Sequence, residues 1–203
     1  MIDIAIIMAS TRPGRRGEAV ARWVHQQAEQ HERLVGKDAR ATLIDLVEVN
    51  LPLLDESAPA MFGNYSQTHT KRWAEQIAKF DGFIFVTAEY NHGLPAALSN
   101  AIDFLFSEWN DKAAAFVSYG VDNGVRAVEQ LRVKLTEVKV ANVRSQVSLS
   151  LYEDFVIEDP VETGTFAPRE LHAERATIMF NELLDWAGAL QTLRLGGAEN
   201  VSV

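Results

Sequence analysis

Residues 4–20 have the sequence IAIIMASTRPGRRGEAV and lie at the very start of the chain. The opening part is an apolar run rich in isoleucine, which favours a β-strand. A loop of small, hydroxyl and basic residues follows at once, and a helical pattern begins near Gly17. This order of strand, loop and helix is typical of the place where an α/β protein holds a phosphate group.

The loop is basic although the chain as a whole is acidic. The 203 residues carry 19 Lys and Arg against 28 Asp and Glu, a formal net charge of −9, yet three arginines lie between Arg12 and Arg16. Guanidinium groups and the free N–H groups of a helix start both bind anions. We therefore expect Ser10, Thr11 and Arg12 to contact a phosphate group. Arg15 is a further candidate, and the alternative is that the later arginines are solvated loop residues.

The bulk composition is that of an ordinary globular protein. Its length and its 47% hydrophobic and 23% charged residues predict a single domain over residues 1–203. No apolar run approaches the length of a membrane span, and Met1 is not followed by a secretory leader, so we expect a cytoplasmic protein without membrane partners. The acidic balance argues against nucleic-acid binding.

Cysteine is absent, which excludes disulfides, thiolate metal sites, iron–sulfur clusters and a cysteine nucleophile. The five histidines lack metal-ligand spacing, and no metal is expected. We interpret His25 and His31 as exposed positions of the first helix. The acidic residues between Glu153 and Glu162 indicate a solvated loop.

Strand and helix patterns alternate along the chain. After the first strand, strands are predicted at 40–46, 82–87, 113–118 and 140–149. Helices are predicted at 17–31, at 66–79 with Ser66 as N-cap, at 95–107, from Asp122 or Asn123 to Glu137, and at 168–189. Such alternation requires a parallel sheet with helices on both faces. In the order 2-1-3-4-5, the loops at 10–17, 87–93 and 118–124 are neighbours at the carboxyl edge of the sheet, where ligands bind.

The second and third loops suit a planar ligand. The first loop lacks the pattern of a Walker loop or of a dinucleotide-binding loop. The main chain of residues 89–93 could pair with the edge of a heterocycle, and Tyr90 offers a flat apolar wall. The alternatives are that Tyr90 is a core residue, that Asn91 only caps the next helix and that His92 is solvated. In the third loop, glycines beside Ser118 and Tyr119 leave room for a ring.

Together these loops resemble those of the NADPH-dependent FMN reductase family, which has a flavodoxin-like fold. The resemblance rests on residues 10–15, on Glu89-Tyr90-Asn91 followed by Pro95, Leu98 and residues 100–103, and on Lys112 with Ser118-Tyr119-Gly120. It covers roughly residues 1–150. Two positions depart from the family pattern: Ala9 stands where glycine is usual, and Ala88 where proline is usual.

The resemblance implies a three-layer sandwich around a five-stranded parallel sheet, with FMN bound noncovalently. It assigns the FMN phosphate to Ser10, Thr11, Arg12 and Arg15 with the N–H groups near Gly17, and the flavin ring to Glu89, Tyr90, Asn91, His92, Ser118, Tyr119 and Gly120. Relatives take hydride from NADPH or NADH and reduce quinones, free flavin, azo compounds or metal oxyanions. The flavin carries that chemistry, so no catalytic side chain is expected.

The resemblance also implies a homodimer or homotetramer with the flavin near a subunit boundary. The 47–65 loop and the helix around residues 98–106 are the candidate contact surfaces. Two other functions stay open at this stage. One is a flavodoxin-like electron carrier without nicotinamide oxidase activity, which the acidity favours. The other is a nonredox regulatory protein that has lost flavin, which Ala9 and Ala88 leave possible.

Overall fold

The fold is built around one five-stranded parallel sheet. The computed structural model describes residues 1–35 and 39–199. Its parallel strands are β1 (Ile2–Met8), β2 (Ala39–Asp45), β3 (Gly82–Ala88), β4 (Lys112–Gly120) and β5 (Val140–Ser150), in the order β2-β1-β3-β4-β5. The predicted flavodoxin-like order 2-1-3-4-5 is confirmed.

Helices cover both faces of this sheet. They are α1 (Gly17–Gln30), α2 (Glu32–Val35), α3 (Leu46–Val49), α4 (Thr68–Ala78), α5 (Ala96–Asp103), α6 (Val125–Glu137) and α7 (Leu171–Glu199). Side chains alternate across β1, so Ile4 and Ile6 pack in the core beneath α1 and α7. Ala5 and Ile7 pack in the opposite core, beneath α4, α5 and α6. The three-layer sandwich is therefore confirmed.

The two central strands explain the apolar runs in the sequence. Every residue of β3 and β4 is buried, as expected where helices cover both faces. Lys112 is buried at the start of β4, and its ammonium group donates to the carbonyl oxygens of Ile77 (2.9 Å) and Ala78 (3.3 Å). Burial lowers the pKa of Lys112 to about 8. This lysine therefore ties β4 to the carboxyl end of α4.

The segment after β5 contains structure that the sequence did not indicate. Strands β6 (Phe155–Val156) and β7 (Thr165–Phe166) pair antiparallel as a short hairpin. Glu158, Asp159 and Glu162 are exposed in its loop, as expected for a solvated acidic stretch. That expectation is wrong for Asp154, whose side chain is fully buried.

Hydrogen bonds explain why the Asp154 carboxylate can be buried. Its carboxylate accepts from the Ser150 N–H group (2.8 Å), Arg169 Nε (3.0 Å) and His172 Nε2 (3.0 Å). Burial alone would raise the pKa of Asp154, but these hydrogen bonds hold it below its ordinary value. Asp154 therefore joins the end of β5 to the start of α7.

Two predicted helix caps are wrong. Gln67 precedes α4, while the N–H and hydroxyl groups of Ser66 donate to the carboxylate of Glu56 at 2.9 and 2.7 Å. The helix α6 follows Gly124, which has a φ of 71°, rather than Asp122 or Asn123. At α4, the Ser66 hydroxyl is engaged by Glu56 and does not cap the helix. At α6, the Glu89 carboxylate accepts from the Arg126 N–H group in the first turn, which a local cap was expected to bind.

The last helix and one histidine also differ from expectation. Helix α7 extends to Glu199, ten residues beyond the predicted end at 189. Its packing face includes Leu183 and Leu184, but Ile178 is 54% exposed because it lies off the stripe that meets the sheet. His31 is only 6% exposed and packs against Phe180 of α7, with ring centroids 5.4 Å apart. Its expected exposure is therefore wrong.

Two features are absent from residues 1–35 and 39–199. No helix there combines the length and apolar character needed to cross a membrane. Nor do these residues contain a group of three or more histidine, aspartate and glutamate side chains suited to a metal ion.

Candidate functional site

Three loops meet at the carboxyl edge of the sheet and line one cavity of about 130 Å³. They follow β1, β3 and β4, which are neighbouring strands. The lining residues are Arg12, Arg15, Arg16, Ala88, Glu89, Tyr90, Tyr119, Gly120 and Leu151. Six of them are residues that the sequence assigns to the cofactor: Arg12, Arg15, Glu89, Tyr90, Tyr119 and Gly120. Ser10, Thr11, Gly17, Asn91, His92 and Ser118 lie in the same loops outside this lining.

The three arginines of the first loop have different environments. Arg15 forms a two-pronged ion pair with Asp45 and also donates to the carbonyl oxygen of Ser10 at 2.9 Å. Arg16 donates to carbonyl oxygens in the β6–β7 loop, at Glu162 (2.6 Å) and Thr163 (2.8 Å). Arg12 is exposed and has no hydrogen bond or ion pair within the described part of the chain. Arg12 is thus the guanidinium most available to an anion.

The start of α1 adds further donors beside these arginines. The first N–H groups of a helix have no acceptor within the helix, and Arg16 supplies no side-chain cap here. The helix dipole places partial positive charge at the same point. Gly17 begins the helix and is buried. This end of the cavity is therefore electropositive and rich in donors.

A pair of hydroxyl groups connects the first loop to the second. Ser10 is only 1% exposed, and its Oγ lies 2.6 Å from the hydroxyl oxygen of Tyr90. Thr11 is exposed at the loop surface. Tyr90 is half-buried, so its ring is neither a core residue nor freely solvated.

The second loop contains a tight turn at residues 90–93. Tyr90 and Gly93 exchange two backbone hydrogen bonds of 2.9 Å each. Between them, Asn91 and His92 have positive φ angles of 50° and 64°, the geometry of a type I′ turn. Both side chains are exposed. Their backbone is held by the turn and by Gln130, which donates to the His92 carbonyl oxygen at 2.9 Å.

Glu89 supports α6 rather than extending freely into the cavity. Its carboxylate accepts from the Arg126 N–H group at 3.1 Å and from the Arg126 guanidinium at 2.8 Å. The Glu89 side chain is only 8% exposed. It therefore takes the place of the predicted local cap of α6 and fixes the second loop against the third.

The third loop is shaped by close backbone packing. Ser118 is fully buried, and its hydroxyl donates to the Asn123 carbonyl oxygen at 2.7 Å. Gly120 is also buried, and an added Cβ there would lie 3.1 Å from the Gly124 nitrogen. Gly120 therefore lines the cavity with its backbone, whereas the Ser118 side chain does not line it.

The Tyr119 side chain extends from the third loop toward the first loop. The residue is 5% exposed, and its hydroxyl group has no hydrogen-bond partner in the part of the chain that the structure describes. Burial and the adjacent Tyr90 raise the pKa of Tyr119 well above its ordinary value, while Ser10 and the Arg15 and Arg12 guanidinium groups oppose that rise. The hydroxyl is therefore protonated at neutral pH.

Sequence reasoning missed two residues that shape the site. Asp45 ends β2, the neighbour of β1, and this position in the strand order was the signal that could have linked it to Arg15. Leu151 lines the cavity because its N–H group donates to the Gly120 carbonyl oxygen at 3.0 Å. No motif in the sequence marks Leu151.

The donors fit the phosphate end of a larger ligand. Arg12, the start of α1 and the unpaired Tyr119 hydroxyl offer hydrogen bonds and positive charge. The nearby carboxylates of Asp45 and Glu89 are engaged by Arg15 and Arg126. Pockets that enclose a whole drug-sized ligand measure about 300–1,000 Å³. The smaller cavity here suits an anionic group.

Comparison with known proteins agrees with this arrangement. A family profile described as NADPH-dependent FMN reductase matches residues 2–154. The chain is 36% identical over 185 residues to an NAD(P)H-dependent FMN reductase of Schizosaccharomyces pombe, covering 90% of each protein. It is also 36% identical over 156 residues to an NAD(P)H-dependent FMN reductase of Saccharomyces cerevisiae, covering 74% of this chain and 81% of that protein.

A solved structure supports the fold. The flavoenzyme NAD(P)H:(acceptor) oxidoreductase FerB from Paracoccus denitrificans superimposes with a TM-score of 0.67 at 19% identity, over 93% of this chain and 98% of that one. The family is one of oxidoreductases, and membership implies FMN as cofactor and NAD(P)H as electron donor. From the family match and the two yeast relatives, this chain belongs to the NADPH-dependent FMN reductase family.

Proposed function

We propose that this chain takes hydride from NADPH or NADH and delivers the electrons to a small acceptor. The acceptor is a quinone, free flavin, an azo compound or a metal oxyanion. The observation that supports this most is the meeting of a donor-rich helix start, the unpaired Arg12 and two backbone-lined loops at one edge of the sheet. When bound, FMN supplies the redox chemistry of such an enzyme.

The protein's own groups bind and orient the cofactor in this proposal. Ser10, Thr11, Arg12 and the N–H groups near Gly17 hold the phosphate. Arg15 acts through Asp45, since their ion pair and the bond to the Ser10 carbonyl oxygen fix the shape of the loop.

The flavin ring is assigned to the other two loops. The main chain at Glu89, Tyr90, Asn91 and His92 pairs with the ring edge, and Ser118, Tyr119 and Gly120 form the adjoining backbone. The rigid turn at Tyr90–Gly93 and the Glu89 contact with α6 hold these groups in place before binding.

We propose that the active form is a homodimer or homotetramer in the cytoplasm, each chain being a single domain. The cavity between the three loops, at about 130 Å³, is smaller than pockets that enclose a whole drug-sized ligand. The 47–65 loop exposes apolar side chains suited to a partner: Leu53 is 83% exposed, and Met61 and Phe62 are each 62% exposed. A second subunit over this surface would exclude water from the ring.

The first experiment is spectroscopic. Purified protein should be yellow, or become yellow with added FMN, and should bleach anaerobically when NADPH or NADH is added. A panel of quinones, azo dyes, chromate and free FMN then identifies the acceptor. Protein that cannot be reconstituted with FMN would contradict the proposal. Protein that binds FMN but is reduced by neither nucleotide would be an electron carrier instead.

A further inference from the structure

Tyr119 belongs to the third loop, but the end of its side chain lies against the start of α1, next to the first loop. A Cβ added to Gly17 would lie 2.5 Å from the Tyr119 hydroxyl oxygen and 3.3 Å from its Cζ. The end of the tyrosine ring therefore lies against the first residue of α1. The packing of its ring with Phe155, at a centroid distance of 6.4 Å, holds it in the core beneath that helix.

The hydroxyl group at this position is unpaired although its neighbours are paired. Ser10 and Tyr90 bond to each other at 2.6 Å, and Arg15 is engaged by Asp45. A buried hydroxyl without a partner is uncommon and unfavourable, so its persistence at a donor-rich cavity indicates that a ligand completes it.

The surroundings define the chemistry of that ligand. Positive charge comes from Arg12 and the start of α1, and the protonated tyrosine adds a further donor. The complementary group is an oxyanion with several acceptor oxygens. A phosphate monoester has this character, and FMN ends in one.

We propose that the Tyr119 hydroxyl donates a hydrogen bond to the phosphate group of FMN, so that the Tyr119 side chain binds the phosphate rather than the flavin ring. This rests on the proposed function. Gly17 then has a defined role, because only a residue without Cβ leaves room for the hydroxyl at the helix start. The third loop then contributes to both ends of the site: its backbone lies near the ring, and the Tyr119 side chain binds the phosphate.

The test compares phosphorylated and unphosphorylated flavin. FMN and riboflavin are titrated into flavin-free full-length protein, and the quenching of flavin fluorescence gives each dissociation constant. Tyr119→Phe removes only the hydroxyl group and should weaken FMN binding about tenfold, while riboflavin binding stays unchanged. Tyr152→Phe is the matched control, since Tyr152 is 78% exposed and should alter neither affinity.

The outcomes separate the proposal from its alternatives. Equal losses for FMN and riboflavin would place Tyr119 at the ring and overturn it, as would unchanged FMN binding. A change confined to the preference for NADPH over NADH would assign the hydroxyl to the nucleotide's phosphate instead and also overturn it. Wild-type protein that binds neither flavin would contradict the proposed function itself.

A second measurement uses flavin-free protein alone. Removing an unpaired buried hydroxyl should leave the thermal unfolding midpoint of Tyr119→Phe at or above the wild-type value. A lower midpoint would show that the hydroxyl already has a stabilising partner in the chain, which contradicts the argument. Circular dichroism of the same samples shows whether the variant is folded before flavin is added.

Discussion

At the scale of single residues, the first loop shows how similar side chains acquire different roles. Arg12, Arg15 and Arg16 are nearly adjacent, yet Arg15 is committed to Asp45 and Arg16 to the β6–β7 loop. A guanidinium group already paired with a carboxylate has fewer free N–H donors for an anion, and its charge is neutralised. The contribution of each arginine to phosphate binding should therefore follow its free donors rather than its place in the motif.

Arg12→Ala should weaken FMN binding. A hydrogen bond to a charged group contributes about 1.5–3 kcal/mol, so the dissociation constant should rise by roughly one to two decades. Fluorescence titration measures it, with riboflavin as the unphosphorylated comparison. Arg22→Ala is the control, because Arg22 is exposed and paired with Glu18 on the same helix. Unchanged FMN affinity would mean that other groups hold the phosphate.

Gly17→Ala should destabilise the protein by about 1–3 kcal/mol, because the new methyl group collides with the Tyr119 hydroxyl. Chemical denaturation measures the loss. In the Tyr119→Phe background at least half of it should be recovered. Gly188→Ala is the matched control, since it lies within α7 with nothing inside 4 Å of the added Cβ. It should stabilise by about 0.5–1 kcal/mol. A loss that persists without the hydroxyl would refute this steric explanation.

At the scale of elements, the β6–β7 hairpin is fastened at both ends. Asp154 holds its base through Arg169 and His172, and Arg16 holds its loop through main-chain carbonyl oxygens. The hairpin also packs on α1, where the rings of Trp23 and Phe166 meet edge to face with centroids 5.9 Å apart. This element therefore lies beside the first loop, and its contacts with Arg16 use main-chain oxygens only.

Arg16→Ala should loosen the tip of that hairpin and leave flavin binding nearly intact. Losing its hydrogen bonds to the loop should speed amide exchange at Val161 and Glu162 roughly tenfold, while Ala167, bonded to Asp154, exchanges as before. Hydrogen–deuterium exchange with mass spectrometry detects this. FMN affinity should stay within about threefold of wild type. A loss as large as that expected of Arg12→Ala would show that Arg16 also reaches the phosphate.

The sequence predicts helices and strands well, because these depend on local or periodic patterns of residues. The alternation of strands and helices predicts a parallel sheet with helices on both faces, because the crossovers are right-handed. The order 2-1-3-4-5, and with it the meeting of the three loops, follows from the resemblance to a flavodoxin-like family. It does not predict the direction of Tyr119, the partners of Arg16 or the burial of Asp154. Arg16 and Thr163 are 147 positions apart, and such contacts depend on tertiary packing that no local pattern encodes.

At the scale of the whole molecule, two buried histidines lie in the layer formed by α1 and α7. His31 is 6% exposed at the end of α1, and His172 is fully buried at the start of α7. Burial lowers the pKa of each below the ordinary value of 6.5, outweighing nearby acids such as Glu32 and Asp154 that oppose the shift. Both are therefore neutral in the folded protein at neutral pH.

This burial should make the protein less stable in mild acid. As the pH falls below 6.5, the unfolded chain takes up protons at these histidines while the folded protein resists, so unfolding is favoured. Each histidine can contribute up to about 1.4 kcal/mol per pH unit until its folded-state pKa is reached. Asp154 does not cause this loss, because its lowered pKa keeps its stabilising contacts until more acidic pH.

Urea denaturation between pH 7.5 and 5 measures the effect. The unfolding free energy of the wild type should decrease over this range, and that of a variant carrying His31→Gln and His172→Gln should decrease much less. A glutamine at 172 keeps a donor for Asp154, so the variant retains the link at the base of the hairpin. His25→Gln is the control, since His25 is partly exposed beside Glu29 and should preserve the wild-type slope. Equal slopes in all three proteins would assign the acid sensitivity to other groups.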